Sequence, residues 1–165
     1  METYRFEVER IDVASTKSFS EVVATLEQQV PIADISVFIQ MIASRFSAQE
    51  IERAVEGMVG DLGFLVLAKI DQGPLVSLLG KPKRMTVYLL GNPVLANTMY
   101  ELRPEIGLYA PLRAFVYEDY GGVSHFTYDR PSSLLQQFDN EEVMSVARIL
   151  DDRMSKLAEH VTGND

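Results

Sequence analysis

EEVMSVARILDDRMSKLAEHV, residues 141–161, decides the fold. Val143, Val146, Ala147, Leu150, Met154, Leu157 and Val161 recur at helical spacing, so the segment predicts an amphipathic helix about six turns long. A helix with such a stripe must lie on an apolar surface. Phe138 and Val143 flank its start as a staple, and the pair Asp139 and Glu142 predicts the capping pattern.

Working backwards, the surface for that stripe comes from short runs with strand character. Phe64 to Ile70 is a continuous apolar run, which predicts a central strand buried on both faces. Met85 to Leu90 is a second such run. Arg113 to Glu118 and Val123 to Tyr128 predict two further strands, with Asp119, Tyr120, Gly121 and Gly122 as the hairpin turn between them. Near the start, Tyr4, Phe6 and Val8 alternate with charged residues and predict a half-buried strand. The apolar phase then shifts to Ile11 and Val13, which predicts a bulge near Arg10.

Helices fill the intervals. Ser18 and Glu21 form an S-x-x-E capping box before Phe19, Val22, Val23 and Leu26, and Pro31 ends that helix. Ser47 and Glu50 repeat the pattern before Ile51, Ala54, Val55 and Met58, with Phe46 and Ile51 as the staple. Asn92 as N-cap with Pro93 at the first position starts a helix reaching about Leu102. Residues 34–43, DISVFIQMIA, are apolar almost all round and predict a helix that is buried or that covers a sheet or a partner. Strict strand–helix alternation is missing. An α+β domain spanning residues 1–165, with an antiparallel or mixed sheet, is therefore expected.

Composition narrows the function. The chain has 165 residues, 47% hydrophobic and 24% charged, which is globular usage. It contains no cysteine, which excludes disulfides, thiolate nucleophiles and cysteine-based zinc sites. The net charge is −9, and Lys81, Lys83 and Arg84 form the one dense basic cluster. Neutralising phosphates takes clustered Lys and Arg, so no nucleic-acid or anionic membrane partner is expected. The opening METYRFEVER has no apolar core of a leader and no run is long enough to span a bilayer, so the expected compartment is the cytoplasm.

Catalytic motifs are scarce. Gly80-Lys81 does not complete a phosphate loop, because Gly73 is too distant and Pro82 replaces the hydroxyl residue. Ser124 and His125 are strand neighbours and point to opposite faces, so they form no nucleophile–base pair. No G-x-S-x-G elbow is present. His125 and His160 lack a second histidine at metal-binding spacing, and no metal site is expected. The carboxylates at strand ends, Asp71, Glu118, Asp119 and Asp129, would matter if they converged on one edge, since neighbouring acids shift each other's proton affinity or bind a divalent cation. Turn chemistry is their ordinary role. Asn92 caps a helix start whose remaining free N–H groups would suit an anion. Tyr88, Tyr109, Tyr117 and Tyr128 are amphipathic rings suited to sheet packing or to lining a cleft, and the Arg103–Gly107 connection would edge such a cleft.

GFLVLAKID (Gly63 to Asp71), LLGNPVLA (Leu89 to Ala96), PEIGLYAPLRAFVYED (Pro104 to Asp119) and TYDRPSSLL (Thr127 to Leu135) resemble, in order and spacing, the domain of unknown function 302 family. The resemblance implies a TATA-binding-protein-like β-α-β4-α fold, in which a curved antiparallel sheet grips a long C-terminal helix, and points to a homodimer as an expectation. Short members of the family need one helix before the GFLVLAKID-like strand. This chain has about three, so residues 31–47 read as an insertion. The family carries no established catalytic residues or cofactor. The leading expectation is a non-catalytic module that holds a small organic ligand between the curved sheet and the last helix, with Asp71, Tyr88, Asn92, Tyr117, Glu118, His125, Tyr128 and Asp129 as candidate cleft residues. The competing expectations are an enzyme using the strand-end acids, with or without a divalent cation, and an interaction module presenting Ile35, Phe38, Ile39 and Ile42.

Overall fold

The computed structural model describes residues 2–81 and 83–164. The chain runs β1 (Arg10–Ser15), α1 (Phe19–Gln29), α2 (Ile35–Ala43), α3 (Ala48–Met58), β2 (Leu65–Asp71), α4 (Gly73–Ser77) and β3 (Met85–Gly91). It continues through α5 (Pro93–Tyr100), a 3-10 turn at Pro104–Leu108, β4 (Leu112–Glu118), β5 (Ser124–Asp129), α6 (Pro131–Leu135), a 3-10 turn at Gln136–Phe138, and α7 (Glu141–Thr162). The strands form one curved antiparallel sheet in the order β1-β5-β4-β3-β2, so the β-α-β4-α plan holds.

Strand alternation sorts the sheet into two faces. Tyr88 and Leu90 of β3, Ala114 and Val116 of β4, and Phe126 and Tyr128 of β5 are buried inward. Against them lies α7 through Val143, Ala147, Leu150, Met154, Leu157 and Val161, with Val22 and Leu26 of α1 beside it. Burying each of the Val, Leu, Met and Phe side chains among these contributes roughly 1.5–3 kcal/mol. The far end of α7 is tied to the end of β1. Ser15 Oγ donates to the Thr162 carbonyl at 2.9 Å and Lys17 Nζ to that of His160 at 2.7 Å.

Helix starts follow the capping chemistry. Ser18 and Ser47 each accept from the N–H three residues on, while Glu21 and Glu50 reach back to the cap N–H at 2.8 and 2.7 Å. At α7 the cap is Asn140, whose Oδ1 accepts from Val143 N–H at 3.0 Å. Asp139 instead takes a left-handed conformation, φ 46°, one residue before the cap. The acid expected to cap α7 serves the preceding turn.

Two further expectations are corrected, and a third, for α2, loses its buried-helix alternative. Residues 2–9 form no strand: Tyr4 and Val8 are exposed, and the first ladder begins at Arg10, opposite Asp129. β2 is an edge strand, not a central one. Its start is buried at Leu65 and Val66, but Lys69, Ile70 and Asp71 are exposed. The apolar run there reflects cover from outside, because residues 31–33 run alongside, with Ala33 N–H donating to Val66 O and Val66 N–H to Pro31 O. Such a cover blunts a sheet edge. Finally, α2 is scarcely buried. Met41 lies in the core, whereas Ile35, Ile39 and Ile42 face outward.

Candidate functional site

The end of the sheet where β3 finishes and β4 begins does not close completely. β3 stops at Gly91, and the chain turns at Asn92-Pro93 into α5. Asn92 Oδ1 accepts from both Val94 and Leu95 N–H at 3.1 Å, while its Nδ2 donates to the Gly63 carbonyl at 3.1 Å. One side chain thus fixes α5 to the turn before β2. Gly63 holds φ +69°, a left-handed conformation that costs glycine little. A Cβ at Gly91 would come within 2.8 Å of Leu67 Cδ1, so that side chain would have to move to admit one.

Between these elements lies a cavity of about 160 Å³. Leu90 and Leu112 form its sheet wall, and Leu95, Ala96, Met99 and Tyr100 come from α5. Tyr109 and Pro111, after the cis Ala110–Pro111 bond, close one side; Leu135 and Leu150 bring α6 and α7 to the other. The lining is overwhelmingly apolar, and its polar atoms are committed elsewhere. Tyr100 Oη donates to the Ala110 carbonyl at 3.2 Å and Tyr109 Oη to Gln137 at 3.4 Å. Tyr109 also packs edge-on against Phe6 and Phe138, which explains why the first residues adhere without pairing as a strand.

Of the eight candidate residues, Asn92 lines this cavity and the other seven do not. The anion site expected at the α5 start is absent: Pro93 has no N–H, Asn92 Oδ1 takes the next two, and Ala96 N–H donates to the Asn92 carbonyl. Tyr88 is fully buried in the core, its hydroxyl donating to Glu27 Oε1 at 2.8 Å. Burial first, and then that bond, push its phenol far above the ordinary value of 10.0. Tyr128 is buried as well. Asp71 accepts from Gly73 N–H at 3.2 Å, and Glu118 faces Arg84 at 3.6 Å.

The strand-end carboxylates do not converge. β2 and β4 run the same way, so Asp71 and Glu118 share one end of the sheet, while Asp129 sits at the other, between Arg10 at 2.8 Å and Arg113 at 4.0 Å. With Tyr128, Asp129 borders a shallow groove of about 320 Å³ on the uncovered face. An enzyme that needs those acids together has no geometric basis. Among the described residues no group of three or more His, Asp or Glu is placed to hold a metal ion.

Tyr117 and His125 do meet, on the uncovered sheet face. Their rings stack at 4.8 Å, and Phe115 extends the stack at 5.4 Å. His125 Nδ1 lies 2.9 Å from Asp12 Oδ2, and Nε2 lies 3.6 Å from Asp119 Oδ2. Tyr117 Oη donates to Asp12 at 3.2 Å. Asp119 lies below its ordinary value of 3.8, held there chiefly by the Val123 N–H and then by Gly121 N–H and His125. Both imidazole nitrogens face carboxylates, and the cluster ties β1 and the hairpin turn to β5.

Sequence reasoning did not mark Leu95, Met99, Tyr100 or Leu150 as cavity residues. Their signal is ordinary helical amphipathicity, which reports that a residue faces inward but not whether the space it faces is full.

The family model described as domain of unknown function DUF302 matches residues 40–161, roughly three quarters of the chain. A search of curated proteins finds no match. Among solved structures, the crystal structure of an uncharacterized conserved DUF302 protein from Bacillus stearothermophilus superposes with a TM-score of 0.65. It is 14% identical, over 92% of this chain and 97% of that one, which is a likeness of fold. No described helix is long and apolar enough to cross a membrane. With that match over most of its length, and with the sheet and last helix in the expected plan, this chain belongs to the DUF302 family.

Proposed function

We propose that this protein is a non-catalytic module that holds a small, uncharged, largely apolar molecule between its curved sheet and α7. The observation carrying this reading is the cavity itself: about 160 Å³ of space in a region otherwise packed, lined by Leu, Met, Ala and aromatic side chains. The space is partly open to solvent, and an apolar molecule entering it would give its lining contacts that it lacks. A cavity of about 150 Å³ lined by such groups stays dry and takes up a benzene-sized molecule, whereas drug-sized ligands fill about 300 Å³ or more. The fitting ligand is therefore a single ring or a short branched chain. Charge is disfavoured, because the polar atoms of Asn92, Tyr100 and Tyr109 already bond within the protein and an ion placed among apolar groups would go unpaired.

Native mass spectrometry of protein purified from its own host, followed by release and identification of bound molecules, tests this. The expected result is a neutral apolar molecule leaving on denaturation. Protein free of any such molecule, and unmoved in thermal stability by indole or toluene, contradicts the reading.

A further inference from the structure

Ile32, Ile35, Ile39, Ile42 and Phe46 follow each other at spacings of three, four, three and four residues. They are 60, 48, 62, 78 and 39% exposed. Within α2, Ile35, Ile39 and Ile42 form one stripe, while Met41 is buried and Val37 and Phe38 are half-buried on the side turned to the body. Ile35, Ile39 and Ile42, four and three apart on α2, have the spacing that lets two helices interlock along a seam, while Ile32 and Phe46 flank the helix outside it. Here the seam faces outward.

The size of the stripe suits an interface. With on the order of 150 Å² of apolar surface per fully exposed large side chain, the three on α2 present roughly 280 Å², and Ile32 and Phe46 beside the helix roughly 150 Å² more. A standard interface buries about 800 Å² per partner, about 57% of it apolar, or roughly 450 Å². The charges select the occupant. Residues 35–44 carry none, so two copies meeting along this helix set no like charges against each other there. Asp34 precedes the stretch and Arg45 follows it, both exposed. Laid antiparallel, two copies set each Asp34 against the opposite Arg45; laid parallel, they set like against like. A membrane surface fits poorly, because an interfacial helix carries Lys and Arg on its polar face and α2 has neither.

We propose that the partner of this surface is a second copy of the chain, α2 packed antiparallel on α2 about a twofold axis, a self-complementary arrangement. Sedimentation velocity of the full chain at micromolar concentration tests it. The wild type is expected to sediment as a concentration-dependent dimer, and Ile39→Glu as a monomer with unchanged circular dichroism. Arg45→Glu, which sets acid against Asp34 twice, should weaken association about fivefold from the usual worth of exposed pairs, and adding Asp34→Asn should recover part of that loss while keeping a competent helix cap. A wild type that remains monomeric overturns the proposal. So does a dimer indifferent to both Ile39→Glu and Arg45→Glu. Should Ile39→Glu fail to fold, the Arg45→Glu dissociation constant decides.

Discussion

Glu27 joins three parts of the molecule through one carboxylate. It accepts from the buried Tyr88 hydroxyl at 2.8 Å and pairs with Lys69 at 2.5 Å. Burial raises its proton affinity, but the Lys69 and Tyr88 hydrogen bonds outweigh that, leaving it below the ordinary value of 4.5. The charged form therefore stabilises the fold above that pH, and the contribution is lost as pH falls through the lowered native value. Glu27→Gln should cost about 0.5–1 kcal/mol at neutral pH, given that Lys69 is partly solvated, and progressively less at an acid pH. Urea melts of both proteins at the two pH values check this. Asn92 carries a different load: it caps α5 and bonds the Gly63 carbonyl, so Asn92→Ala should lose about 1–2 kcal/mol in the same assay. The cap was legible in Asn-Pro. The bond from its Nδ2 to the Gly63 carbonyl was not, because Gly63 is far off in sequence. In the same way, Tyr117 and His125 were separate candidates in the sequence, and only the β4–β5 register, which pairs them, brings the rings together.

Among elements, capping boxes were the most legible, since their bonds are local. Ser18→Ala and Ser47→Ala should each cost about 1 kcal/mol in thermal or denaturant unfolding. Asn140 displaced Asp139 as the cap of α7 because Asp139 closes the preceding turn at positive φ, a choice made by the 3-10 turn at Gln136–Phe138. Strand position was less legible than strand existence. An apolar run reports cover on both faces, and at β2 the cover comes partly from residues 31–33 lying along the edge, a contact between segments more than thirty residues apart. α2 misled in the opposite sense: its composition announces burial, and its own chain supplies little of it. Tyr4, Phe6 and Val8 alternate correctly for a strand, yet Phe6 is held by Tyr109 and the ladder begins later. Alternation records that one side faces apolar groups, which aromatic packing satisfies as well as pairing does.

Across the whole molecule, the helix at 141–161 and strands β2 to β5 were visible as patterns, and α7 does lie on the sheet beside α1. The space beside it was not visible, because pattern assigns faces and volume is settled only when side chains from β3, β4, α5, α6 and α7 meet. That space is what a ligand would use. Ala96→Leu, which extends extra carbons from α5 into the cavity, should change stability by no more than about 1.5 kcal/mol and remove binding. The decisive measurement is methyl-resolved NMR of the wild type and Ala96→Leu during titration with indole. Shifts in the wild type should be confined to Leu67, Leu90, Leu95, Ala96, Met99 and Leu150, and should vanish in the variant. Resonances that stay fixed at saturating indole, or that move elsewhere and respond equally in Ala96→Leu, would contradict ligand binding in this cavity.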